Sequence, residues 1–94
     1  MLHYEYDQEL LSLEEKLDGQ DMEFCLRVKR PDAGVEKAVK KIRDHFNDND
    51  VITDVLFYAH HGEEYQWIVR HDYYVEFVLC LFKHRLLTAI QWSE

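Results

Sequence analysis

Apolar and polar residues alternate with period two from Met22 to Lys29. Met22, Phe24, Leu26 and Val28 fall on one side and Glu23, Cys25, Arg27 and Lys29 on the other, which predicts an amphipathic strand. Arg30-Pro31 breaks the pattern, and Asp32 is placed to cap a following helix. In that helix Val35, Ala38, Val39, Ile42 and Phe46 make a narrow apolar stripe, with Lys37, Lys40, Lys41 and Arg43 pointing away. Asn47-Asp48-Asn49-Asp50 is a turn cluster. Two further strands are expected over Val51–Ala59 and Tyr65–Arg70. The turn between them is His60-His61-Gly62-Glu63-Glu64, with Gly62 supplying the positive φ that such turns require.

The most apolar stretch runs from Asp72 to Trp92. Asp72 is a suitable N-cap, and Glu76 is the only charge between Tyr73 and Phe82. At helical periodicity the apolar positions sweep roughly 240°, against about 100° for an ordinary one-sided helix. One sheet cannot cover that arc, so Val75, Leu79 and Phe82 are surplus to a two-layer packing. Past Arg85, Thr88, Ile90 and Trp92 alternate with Ala89 and Gln91, which predicts a closing strand.

At the N-terminus, Tyr6, Leu10, Leu13 and Leu17 fall at helical spacing among strong helix formers. They predict a helix from about Asp7 to Leu17, ended by Asp18-Gly19, after an extended lead-in at Leu2, Tyr4 and Tyr6. Its leucines are expected to cover the spare arc of the 72–86 helix, since apolar burial at ~25 cal/mol/Å² outweighs screened surface ion pairs.

From residue 21 onward the order is β-α-β-β-α-β. The expected architecture is therefore α+β, a two-layer ferredoxin-like sandwich with an additional N-terminal helix. It is read as one domain over 1–94, with an acidic helical segment at 1–20 and the core at 21–94. The helix-facing layer is expected to hold Phe24, Leu26, Val28, Val55, Phe57, Tyr65, Trp67, Val69, Ile90 and Trp92. The open face would show Cys25, Arg27, Lys29, Leu56, Tyr58, Ile68, Arg70, Ala89 and Gln91.

Composition adds that the chain is globular, with 47% hydrophobic and 14% aromatic residues in 94. Apolar runs are too short to span a membrane and the acidic N-terminus is unlike a signal peptide, so a cytoplasmic location is expected. The net charge of −8 hides an uneven distribution. Residues 1–24 carry eight acids and one base, 25–43 seven bases and two acids, and 44–94 nine acids and three bases.

Candidate chemistry is sparse. Cys25 and Cys80 match no disulfide framework or metal spacing and are expected to be apolar fillers. His60 and His61, with Glu63 and Glu64, are weak metal candidates, because adjacent histidines on a strand end point apart. Cys80 and His84 stand at i, i+4, without the third residue that would orient an activated thiolate. No phosphate-cradling glycine loop or paired-carboxylate motif is present, so no catalytic residue and no cofactor is assigned. The expected function is a non-catalytic protein-interaction or regulatory module, one version being an inhibitor that occupies a basic surface on a target protein. Its contact residues are Val75, Leu79 and Phe82 on the apolar side and Glu9, Glu14 and Glu15 on the acidic segment. The partner is another protein or a second copy of the chain. The alternative is an anion- or RNA-binding module using Arg27, Lys29, Lys37, Lys40 and Lys41. The net negative charge and the missing aromatic pair on the strand disfavour nucleic acid.

Overall fold

Asp18 and Asp21 face each other across a two-residue turn, Gly19-Gln20, with Gly19 at φ 63°. A positive φ at the first central residue is the conformation that glycine adopts without a steric penalty. On either side of it residues 11–18 and 21–28 pair as an antiparallel hairpin, with Leu11 opposite Val28 at the far end. The computed structural model describes residues 2–47 and 55–92. In chain order its elements are β1 (Leu2–Glu5), β2 (Leu11–Asp18), β3 (Asp21–Val28), α1 (Ala33–Asn47), β4 (Val55–His60), β5 (Glu64–Arg70), α2 (Tyr74–Lys83) and β6 (Ala89–Trp92). A single 3-10 turn, His71–Tyr73, leads into α2.

The fold is a mixed α+β one with two antiparallel sheets and two helices. Four strands pair in the order β2-β3-β5-β4, and β1 pairs with β6 in a separate two-stranded ribbon. Two expectations are thereby corrected. The segment expected to be a helix over 7–17 is a turn followed by strand β2, with Leu11 and Leu13 buried. Helix propensity there is a matter of tenths of a kcal/mol per residue, and the local hairpin with a strongly amphipathic neighbour overrides it. The closing strand exists but does not join the main sheet. A ferredoxin-like order would seat β6 beside β3. β2 already holds that place, reached by a two-residue turn at little loop-closure cost. Ile90 consequently packs half-buried from the ribbon, while Trp92, Ala89 and Gln91 are exposed.

The result is two successive ββα units, β2-β3-α1 and β4-β5-α2, whose second strands, β3 and β5, pair at the centre of the sheet. Both helices lie on one face. Phe46 of α1 and Phe77 of α2 are 5.8 Å apart, and Phe77 also reaches Phe24 at 4.7 Å and Trp67 at 5.5 Å. Phe24, Leu26, Val28, Val55, Trp67 and Val69 are buried as expected, and Phe57 and Tyr65 pack half-buried against them. The α1 stripe, Val35, Ala38, Val39, Ile42 and Phe46, is buried throughout. Asp32 caps α1 by accepting the Val35 N–H at 3.1 Å. Asp72 makes no such cap on α2. Gly62 has the expected positive φ, and Glu63 shares it at φ 60°. The turn cluster at 47–50 falls outside the described residues after Asn47, as does the expected strand over 51–54.

Two local devices fix the helix layer. Past the end of α2, Leu86 N–H donates to Leu81 C=O and Arg85 N–H to Phe82 C=O, each at 3.0 Å. This is a Schellman motif, and Arg85 occupies its left-handed position at φ 66°, where glycine is usual. The ribbon is pinned by Glu15. Its carboxylate accepts the hydroxyl of Tyr4 from β1 and that of Tyr74 from α2, the latter at 3.0 Å. Burial, followed by these bonds and the carboxylate charge, pushes the Tyr74 phenol up to about 12 and holds Tyr4 well above its ordinary range.

Arg85→Gly is expected to raise stability by about 0.5–1 kcal/mol. Relief of about 1–2 kcal/mol of left-handed strain exceeds the 0.5–1 kcal/mol that glycine adds to unfolded-chain entropy. A lowered urea midpoint would contradict that balance. Glu15→Ala should cost about 1–3 kcal/mol, the range for leaving buried hydroxyls unpaired. Amide exchange should accelerate most at residues 2–5 and 89–92; uniform acceleration across the main sheet would show that Glu15 does not act through the ribbon.

Candidate functional site

Helix α2 turns Tyr74, Phe77, Val78 and Leu81 into the core, which fixes what its remaining positions can do. Val75, Leu79 and Phe82 follow one another at i, i+4 and i+7 and so share one line on its surface. They are 37%, 50% and 44% exposed. The N-terminal segment does not cover them, being occupied as β2. Glu76 and Lys83, seven residues apart, flank the same line on one side, and both are exposed. The expected apolar contact residues are thus brought together on one surface.

The acidic residues expected beside them lie elsewhere. Glu9 is exposed in the turn before β2, its N–H donating to Asp7 Oδ1 at 3.0 Å. Glu14 projects from β2 onto the open face of the sheet, on the far side from the helices. Glu15, its neighbour, points the opposite way into the Tyr4–Tyr74 clamp and is no surface contact.

The open face is organised by register. Ser12, Arg27, Glu64 and His60 form one cross-strand row; Glu14, Cys25, Gln66 and Tyr58 form the next. Arg27 pairs with Glu64, its Nε donating at 2.8 Å. His60 Nε2 donates to Gln66 Oε1 at 2.8 Å, and Gln66 Nε2 donates to Glu23 Oε1 at 2.6 Å. The Cys25 thiol also donates to Glu23. All of these groups except Tyr58 line a shallow hollow of about 460 Å³. Leu56 and Tyr58 extend the face toward the β4 edge as exposed apolar surface.

Cys25 is exposed rather than the buried filler expected of it, because it falls on the polar side of β3. Burial pushes its thiol up, and the carboxylates of Glu23, Glu14 and Glu64 push it further in the same direction. Cys80 is buried as expected, and burial raises its thiol too. Both stay protonated at neutral pH, the opposite of what a nucleophilic thiolate needs. His60 is engaged by Gln66 and His61 is exposed in the turn; among the described residues no cluster of three or more His, Cys, Asp or Glu converges as a metal site.

The alternative anion site is divided. Arg27 is neutralised by Glu64 on the open sheet face. Lys29 Nζ donates to the Gln8 carbonyl at 2.7 Å. Lys37, Lys40 and Lys41 are exposed on α1, in the other layer. The positive charge that does gather joins the two helices. Lys41 and His45 of α1 and Lys83 of α2 act on His84, whose imidazole is held below its ordinary 6.5, mainly by burial and then by these cations. Sequence reasoning missed the Glu23–Gln66–His60 chain and the Glu15 clamp. The first depends on the register of β5 against β3 and β4, which side-chain alternation alone does not specify, and the second was concealed by the helical reading of 7–17.

The His84 shift sets a pH dependence. A folded-state value below the unfolded 6.5 means that the unfolded chain takes up the proton first. Its contribution to stability is therefore full above pH 6.5 and declines as pH falls from there toward the folded-state value. His84→Gln should reduce the loss of urea midpoint between about pH 7.5 and 5.5. Lys83→Gln should move the His84 titration upward in NMR; an unchanged value would remove the electrostatic part of the explanation.

Comparison with protein-family models, curated proteins and solved structures finds no match to this chain.

Proposed function

We propose that this chain is a non-catalytic protein-interaction module that works through the outward stripe of α2. The observation that carries the reading is the alignment of Val75, Leu79 and Phe82, substantially exposed, on a helix whose opposite side is fully buried. Single exposed apolar side chains are ordinary. Three in a line at i, i+4 and i+7 are the anchor pattern of a helix that packs against another helix. The protonated thiols and the internally paired Arg27 and Glu64 support a binding rather than a chemical role. A narrower version, an inhibitor covering a basic surface, would use Glu14 and Glu23 on the open sheet face instead. That face belongs to the opposite layer, so the point of contact separates the two versions.

The test is a photo-crosslinking side chain placed at position 79, with position 40 on α1 as the exposed control. An adduct from 79 and none from 40, lost on Phe82→Lys, is the expected result. Leu79→Lys should leave stability within about 0.5 kcal/mol of the parent, as for other exposed sites. The reading is abandoned if position 79 yields no adduct, or if Leu79→Lys unfolds the protein, since the stripe would then be part of the fold.

A further inference from the structure

With the α2 stripe taken as the contact surface, we infer that its occupant is a second copy of this chain, in an antiparallel α2–α2 contact about a two-fold axis close to Leu79. The stripe is nearly symmetric about its own centre. Val75 lies four residues before Leu79 and Phe82 three after it, so reversing the helix lays Phe82 of one copy along Val75 of the other with the two Leu79 side chains between them. Such self-complementarity is what a two-fold interface demands.

The flanking charges select the same arrangement. Glu76 and Lys83 are seven residues apart, which at about 100° per residue places them on the same side of the stripe. A two-fold axis perpendicular to antiparallel helices brings like flanks together with the chain direction reversed. Glu76 of each copy then faces Lys83 of the other, and the symmetry makes the ion pair twice. A parallel pairing, about an axis along the helices, would instead put the two flanks on opposite sides of the seam, and neither Glu76–Lys83 pair would form. Both side chains are exposed in the single copy, and neither makes an ion pair among the described residues.

Extent sets the strength. Three partly exposed side chains fall far short of the roughly 800 Å² per partner of a standard interface. The dimer is therefore weak, concentration-dependent and sensitive to ionic strength, because its selectivity comes from exposed pairs.

Sedimentation equilibrium from about 10 µM to about 1 mM at low salt is expected to show the mass rising from monomer to dimer. Glu76→Lys alone, or Lys83→Glu alone, places like charges opposite each other at both symmetric positions and should weaken association about tenfold or more. The double change E76K/K83E should restore it to within about threefold of the parent, an outcome that lost folding cannot imitate. A monomer throughout the range overturns the inference. So does a dimer indifferent to the single changes, or a double variant no better than either single one. If position 79 crosslinks to a different protein while the chain stays monomeric, self-pairing fails and the interaction reading stands. If it crosslinks to nothing, both fall.

Discussion

Phe77 is the constraint on which the rest of the structure depends. Its ring meets Phe24 of β3, Trp67 of β5 and Phe46 of α1, so one side chain of α2 touches both central strands and the other helix. A helix held at that point has its rotation fixed. Tyr74, Val78 and Leu81 must then face the sheet, and Val75, Leu79 and Phe82 must face away. The packing tolerates a flaw to achieve this. The Trp67 indole N–H is buried with no hydrogen-bond partner among the described residues, a defect of about 1–3 kcal/mol set against the large apolar area of the ring cluster.

What was legible in the sequence is what a single period and its neighbours determine. The β3 alternation, the α1 stripe with its Asp32 cap, the Gly62 turn and the buried side of α2 all read correctly, because each is specified within a few residues. The failure at 7–17 has a definite cause. Leu10, Leu13 and Leu17 satisfy a helical period, yet Leu11 and Leu13 equally satisfy a strand period, and short apolar runs do not distinguish the two. The deciding signal was Asp18-Gly19 beside a strongly amphipathic strand, which favours a hairpin. Missing it also misplaced the last strand. Once β2 fills the edge beside β3, the place expected for β6 is taken, and β6 pairs with β1 instead. Two ββα units then account for the architecture without a visible sequence repeat.

Charge followed the same logic. The basic island at 25–43 is contiguous along the chain and divided in space, because a strand and the helix after it expose opposite layers. Arg27 reaches Glu64, Lys29 reaches the Gln8 carbonyl, and the lysines of α1 look outward from the helix layer. Linear charge counts therefore overstated an anion site. The acidic segment split in the same way, since adjacent residues of a strand point to opposite faces. Glu14 went to the open sheet, while Glu15 turned inward to bind two tyrosines and tie the ribbon to α2.

The surplus side of α2 then needs its own explanation. A ten-residue helix is marginal in water, so α2 exists because its inner side is buried. Its outer side contributes nothing that requires Leu79 or Phe82. Glu, Lys or Gln has a helix propensity equal to leucine's within tenths of a kcal/mol and better than phenylalanine's, and would leave no apolar surface in water. The segment expected to cover those residues is committed to β2, paired along its length with β3. Folding of one copy thus accounts for Phe77 and leaves Leu79 unaccounted for. The proposed antiparallel contact would supply a reason, since the stripe's apolar residues and flanking charges both match their own reversed image.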